Sequence, residues 1–200
     1  MDQHLENKIC LITGATNGIG EESAKELNKM GAEIIFIARN EEKGNKLKEQ
    51  LLKDSGREAT MIIADLSSQD QVKKAAEQFL SLDKPLDILL NNAGIMNRER
   101  NETVDGLEEV FSVNHLAYFT FTLMLSEKLK QTEGSRVINV ASGAHQFVKN
   151  MNFDDLQSKE NYKPMQVYGQ SKLANILFTK ALSTKLSDFG VTVNCLHPGF

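Results

Sequence analysis

Tyr168 and Lys172, in the run Tyr168-Gly169-Gln170-Ser171-Lys172, have the spacing that puts a phenol and an ammonium on one face of a helix. A free phenol holds its proton up to about pH 10. An ammonium about 4 Å away favours the phenolate by about 4 kcal/mol at an effective dielectric of ~20, before desolvation is subtracted. A tyrosine assisted in this way can act as an acid towards a carbonyl or as a base towards an alcohol. Tyr118 and Tyr162 have Thr122 and Gln166 at the same offset, so neither has a cation to help it. Taken by itself, the pattern equally describes a buried tyrosine beside a surface lysine.

A second chemical signal lies near the start of the chain, in Thr13-Gly14-Ala15-Thr16-Asn17-Gly18-Ile19-Gly20. Glycines between a strand and a helix let the backbone turn tightly and approach a pyrophosphate, whose charge is met by free N–H groups at the helix N-terminus. Gly14, Thr16, Asn17, Gly18, Ile19 and Gly20 are therefore candidate cofactor contacts. Their spacing, Gly-x-x-x-Gly-x-Gly, differs from the Gly-x-Gly-x-x-Gly of many dinucleotide folds. About 20 residues after the glycines, an NAD site offers an acid to the ribose 2′-hydroxyl. This chain offers Arg39, followed by Asn40. A guanidinium suits a 2′-phosphate, so NADP(H) is expected in preference to NAD(H), with Glu41 and Glu42 close enough to compete.

The elements that must position these residues follow from the hydrophobic pattern. Strands are predicted over Lys8–Thr13, Glu33–Ala38, Ala59–Ala64, Leu86–Asn91, Ser135–Ala141 and Val191–Leu196, and helices over Gly18–Met30, Glu41–Asp54, Ser68–Leu82, Gly106–Lys130 and Pro164–Ser187. The alternation implies an α/β fold: a doubly wound parallel sheet of six strands with helices on both faces, in one domain over residues 1–200. Two long connections, Asn92 to Asp105 and Ser142 to Lys163, are candidate functional loops.

Composition excludes several classes. The 200 residues are 40% apolar and 25% charged, with a net charge of −4, which leaves no basic footprint for nucleic acid or anionic lipid. No run approaches the roughly 20 apolar residues of a membrane span, and Met1 to Cys10 do not read as a targeting leader. A cytoplasmic protein without a membrane anchor is expected. Cys10 and Cys195 sit in apolar strand runs and are expected to be buried, with no disulfide and no metal site.

Taken together, the motifs resemble those of the short-chain dehydrogenase/reductase family. Thr13 to Gly20 resembles its Thr-Gly-x-x-x-Gly-x-Gly signature, and Asn91-Asn92-Ala93-Gly94 its Asn-Asn-Ala-Gly segment. The resemblance implies that Asn91, Ala93 and Gly94 support the sheet and border the cofactor. It further implies that Asp65 and Leu66 meet the adenine, that Pro198 and Gly199 lie near the nicotinamide, and that Lys172 holds the ribose hydroxyls beside Tyr168. Read without it, Asp65 and Asn91 are equally helix caps or turn residues. Ser142, in Asn139-Val140-Ala141-Ser142-Gly143, matches the serine that hydrogen-bonds the substrate oxygen, and Ala141 stands where the family often has another serine. Asn114 matches the helix asparagine that holds a water linking the lysine to solvent. His115 and His145 are read as packing or surface residues, no metal or nucleophile motif accompanying them.

Thr103-x-Asp105-Gly106, Val113-Asn114-His115-Leu116, Gly169 to Asn175 and the long gap from Ser142 to Tyr168 narrow the resemblance to the retinol-dehydrogenase-like branch. That branch implies hydride transfer between NADP(H) and a small carbonyl or alcohol, with a homodimer or homotetramer in the complete protein. Two departures stand out. Many such relatives carry an N-terminal membrane segment, and relatives continue beyond the Pro-Gly pair where this chain stops at Phe200. The chain is therefore expected to be a fragment without the seventh strand and the substrate-covering segment. A non-catalytic NADP(H)-binding sensor or scaffold, or an inactive fragment, are the alternatives.

Overall fold

All five residues of Ile9–Thr13 (β1) are buried, which requires a sheet covered on both faces. A computed structural model describes residues 4–199; Met1 to Gln3 of the N-terminal stretch and the final Phe200 lie outside the described residues. β1 is joined by β2 (Glu33–Ala38), β3 (Thr60–Ile63), β4 (Ile88–Asn91), β5 (Arg136–Val140) and β6 (Thr192–Leu196). They form one parallel six-stranded sheet in the order β3-β2-β1-β4-β5-β6, the doubly wound α/β arrangement that the sequence predicts.

Alternation along β1 divides the core into two layers. Ile9 and Leu11 join a cluster with Phe79, Tyr118, Phe121 and Leu182, whereas Cys10 and Ile12 join Ala24, Phe36, Leu47 and Leu51. One face is thus covered by α3 (Gln69–Ser81), α5 (Ala117–Met124) and α7 (Pro164–Leu186), the other by α1 (Gly18–Lys29) and α2 (Glu41–Ser55). Truncating a fully buried side chain such as Leu11 to Ala would cost about 2–5 kcal/mol. Local chemistry sets the helix ends. The Asn40 side chain caps α2 by accepting from Lys43 N at 2.9 Å, and Gly56 ends it in the left-handed region at φ +73°. Ser68 caps α3 in the same way.

The single helix predicted over Gly106–Lys130 is instead four segments. Gly106, at φ +71°, closes a turn on Thr103, and the helix starts only at α4 (Glu109–Phe111). The buried Glu108 carboxylate accepts from Val110 N and Phe111 N. Burial raises its pKa, and those two N–H groups oppose the rise. A π-helical turn, Ser112–Leu116, then leads into α5, and Leu125 separates α5 from α6 (Ser126–Gln131). The long connection after β5 contains two 3₁₀ turns, Gly143–Phe147 and Phe153–Asp155. Cys10 is buried and its thiol is pushed up to about 12 by that burial, Asp87 adding to it. Cys195, expected to be buried, is partly exposed, because β6 lies at an edge of the sheet.

Candidate active site

The direction in which successive strands are added to the sheet reverses beside β1, since β2 and β3 lie on one side of it and β4 to β6 on the other. In open parallel sheets the crevice at such a point, beyond the C-terminal strand ends, is where ligands bind. Here it is a cleft of about 670 Å³, within the ~300–1,000 Å³ range of ligand sites. Gly14, Thr16, Asn17, Gly18, Ile19 and Gly20 line one wall.

Geometry explains the glycines at two of these positions. A Cβ on Gly14, whose φ is +68°, would lie 2.7 Å from Ala93 Cα, and one on Gly20 would overlap the Gly14 carbonyl and the Asn92 amide. The loop is pinned to the end of β4: Thr13 Oγ1 accepts from Asn92 N and Ala93 N, and Asn92 Nδ2 donates to the carbonyls of Thr13 and Gly14. Space is left open over Gly18 (φ +52°) at the start of α1, the surroundings a pyrophosphate needs.

Arg39 and Asn40 line the far end of the cleft with Asp65 and Leu66. The Asn40 side-chain oxygen is engaged as the α2 cap, and Asp65 Oδ1 accepts from Ser67 N. Neither Glu41 nor Glu42 reaches the lining; Glu42 is paired with Lys46 at 2.7 Å. Lys43 does reach it, a residue the sequence reading missed. Its signal was available: it stands three residues past the helix cap, one turn from Arg39. Two exposed cations and the N-terminus of α2 therefore face the same end of the cleft.

Ser142, Tyr168 and Lys172 line the opposite end, with Ala93, Gly94, Pro198 and Gly199. Ser142 leaves β5 extended and its Oγ accepts from Ala144 N, so the hydroxyl is fixed at the start of a 3₁₀ turn. Lys172 is only 2% exposed; its Nζ donates to the Val140 carbonyl at 2.9 Å and lies 5.5 Å from the centre of the Tyr168 ring. Burial lowers its pKa from 10.5 to about 8.

Two expected contacts stand elsewhere. Asn91 does not line the cleft: it is fully buried, and its Nδ2 donates to Asn139 Oδ1, its register partner on β5, and to Thr122 Oγ1. The strand alternation turns its neighbour Asn92 towards the cleft instead. Asn114 is also fully buried behind the lining. Its Oδ1 accepts from Ile95 N, and its Nδ2 donates to Ile95 O and Ser171 Oγ. Ser171 in turn donates to the Tyr168 carbonyl at 2.7 Å. His115, read as a packing residue, has its Nδ1 2.9 Å from Asn175 Oδ1, and burial lowers its pKa. Among the described residues no helix is long and apolar enough to cross a membrane.

Residues 8–200 match the short chain dehydrogenase family. Retinol dehydrogenase 12 of Mus musculus is 40% identical over 196 residues, covering 98% of this chain and 62% of the relative. An uncharacterized protein from Mycobacterium paratuberculosis superposes with a TM-score of 0.86 at 32% identity, covering 98% of this chain and 69% of that one. The RhlG/NADP active-site complex of Pseudomonas aeruginosa gives a TM-score of 0.80 at 28% identity, covering 99% and 74%. The chain thus spans less than two thirds of the length of the curated relative. The match over nearly all of its residues shows that it belongs to the short-chain dehydrogenase family, and among the curated relatives it resembles the retinol-dehydrogenase-like branch.

Proposed function

We propose that residues 1–200 are the cofactor-binding and catalytic domain of an NADP(H)-dependent oxidoreductase that interconverts a small, apolar carbonyl compound and its alcohol. The observation that carries this reading is convergence: the glycine cradle, Arg39 with Lys43, and Ser142, Tyr168 and Lys172 line one cleft. The fit to a dinucleotide is supported by the close approach that Gly14 and Gly20 permit and by the open space over Gly18. The preference for a 2′-phosphate rests on the two cations, Arg39 and Lys43, that face the cleft while neither Glu41 nor Glu42 reaches its lining. The NADP named for the Pseudomonas aeruginosa complex agrees with it.

NADP(H), when bound, supplies or accepts the hydride. The protein manages the proton and the substrate oxygen. Ser142 Oγ donates a hydrogen bond to that oxygen and Tyr168 Oη delivers the proton to it, or removes it in the oxidative direction. Lys172 Nζ lies 5.5 Å from the centre of the Tyr168 ring and, with Tyr168, holds the ribose hydroxyls. Asn114 fixes the backbone of Ile95 and, through Ser171, the Tyr168 carbonyl, and in this reading serves proton resupply to Lys172. A cytoplasmic setting is supported by two free thiols, Cys10 and Cys195.

The test is NADPH oxidation with a panel of aldehydes and ketones, together with direct NADPH and NADH binding. Turnover of at least one carbonyl, with NADPH bound more tightly than NADH, is expected. Tight NADPH binding without turnover of any carbonyl, in this chain and in a longer form of the protein, would assign a sensor instead.

A further inference from the structure

Asn175 lies on α7, one turn beyond Lys172, and is fully buried. Its Nδ2 donates to the Asn114 carbonyl at 2.8 Å, and its Oδ1 faces His115 Nδ1 at 2.9 Å. A carbonyl can only accept, so the amide orientation is fixed, and with it the imidazole: Nδ1 carries the proton and donates to Oδ1. Both of these partners, Asn114 and His115, sit in the π-helical turn Ser112–Leu116. One side chain therefore holds two successive residues of the only π-helical segment among the described residues. On the far side of that turn the Asn114 amide clamps Ile95 through both its N–H and its carbonyl and donates to Ser171.

A π turn is rarely stable unless tertiary contacts hold it, and such turns gather at functional sites. The aromatic neighbours of His115 are Phe111, Phe119 and Phe178, with ring centres 5.2, 6.3 and 6.1 Å away. They would accept a phenylalanine ring as readily as an imidazole, so packing alone does not call for histidine. The hydrogen bond does.

We infer that Asn175 and His115 are a pair of positioning residues: they hold the π turn so that Asn114 can order Ile95 and Ser171, and through them the backbone beside Gly94 and Tyr168. The effect on catalysis rests on the function proposed above, while the effect on structure does not. Neither residue touches the cleft, so cofactor binding is outside their reach.

The test uses His115→Phe, which keeps the ring and removes the donor, Asn175→Leu, which keeps the branched shape and removes both the amide donor and its acceptor, and His115→Gln, which keeps an N–H. The first readout is the exchange rate of the Ile95 amide, whose acceptor is Asn114 Oδ1. It is expected to rise at least ~10-fold in His115→Phe and Asn175→Leu and to stay within about threefold of the parent in His115→Gln. The second readout is kcat against KM in NADPH-dependent reduction of a medium-chain aldehyde such as nonanal. A fall in kcat of about 10-fold or more is expected, with the Kd for NADPH within about twofold and partial rescue by His115→Gln. If a variant fails to fold, Asn175→Ser, too short to reach both partners, takes its place. Unchanged Ile95 exchange in His115→Phe and Asn175→Leu would overturn the inference. A parent that binds NADPH but reduces nothing would refute the proposed function and leave the exchange result standing as the measure of the pair.

Discussion

A Cβ on Gly169 would lie 2.6 Å from the carbonyl oxygen of Ala144, so the two backbones meet where α7 crosses the turn that begins at Ser142. That contact fixes the residue next to Tyr168 against the residues next to Ser142. Gly169→Ala is expected to push α7 away, because the obstacle is backbone and cannot rotate aside. Urea unfolding should show a loss of about 1–3 kcal/mol. Carbonyl reduction should drop by more than that loss explains, by up to ~100-fold, since displacements near 1 Å are felt in catalysis. A variant as active and stable as the parent would show that the contact does not set the distance.

The buried Lys172 gives a pH signature. Its pKa falls from 10.5 to about 8 in the folded chain, so between those values the unfolded chain binds more protons and stability rises with pH. The gain is absent below about pH 8 and complete above about 10.5, and amounts to roughly 3 kcal/mol. Unfolding free energies of the cofactor-free parent and of Lys172→Met, measured from pH 7 to 10.5, should diverge in the parent's favour by that amount. Parallel curves would mean that the ammonium is not desolvated as described.

If the proposed function holds, Arg39 and Lys43 divide the binding of the 2′-phosphate unequally. Arg39→Asp is expected to weaken NADPH binding by about 10-fold or more while leaving NADH affinity unchanged or improved, since it removes a charge from the phosphate and offers an acid to a diol. Lys43→Ala should weaken NADPH alone, by about threefold to tenfold, and flatten the dependence of Kd on salt, both cations being exposed. Equal losses for the two cofactors would remove the 2′-phosphate from this end of the cleft.

Tyr168→Phe takes away one hydroxyl. NADPH affinity should survive, and reduction of any carbonyl that the parent accepts should fall by about 10²–10⁴-fold. Ser142→Ala should cost a similar factor, mostly in kcat, although its Oγ also caps the turn through Ala144 N. Near-normal turnover by Tyr168→Phe would send the search to another proton donor in the cleft.

Much of the site was legible because its signals are local. The glycine spacing and the Tyr168/Lys172 offset each encode a geometry within one turn of backbone, and the strand pattern placed them at the same end of the sheet. What escaped depends on distant partners. Nothing in the sequence tells that Asn91 is claimed by Asn139 and Thr122 while Asn92 turns to the glycine loop. Lys43 reaches the cleft only because the cap at Asn40 fixes how α2 enters. The π turn has no periodicity of its own, and the partner that holds it, Asn175, lies 61 residues from Asn114.

The buried amides also carry a direction. Asn91 donates to Asn139, Asn139 to Thr179, and Thr179 to the Asn175 carbonyl; Asn175 then donates to Asn114, Asn114 to Ser171, and Ser171 to Tyr168. The row begins at Asn91, whose Oδ1 is buried and accepts from no protein group among the described residues. Turning the Asn91 and Asn139 amides over would leave a bare N–H in the same place, which interiors tolerate less well than a bare carbonyl oxygen. The coupling is tightest at Asn139, whose amide cannot turn over without breaking its bonds to both Asn91 and Thr179, whereas Asn175 and Asn114 receive through their backbone carbonyls and keep that bond whichever way their amides point.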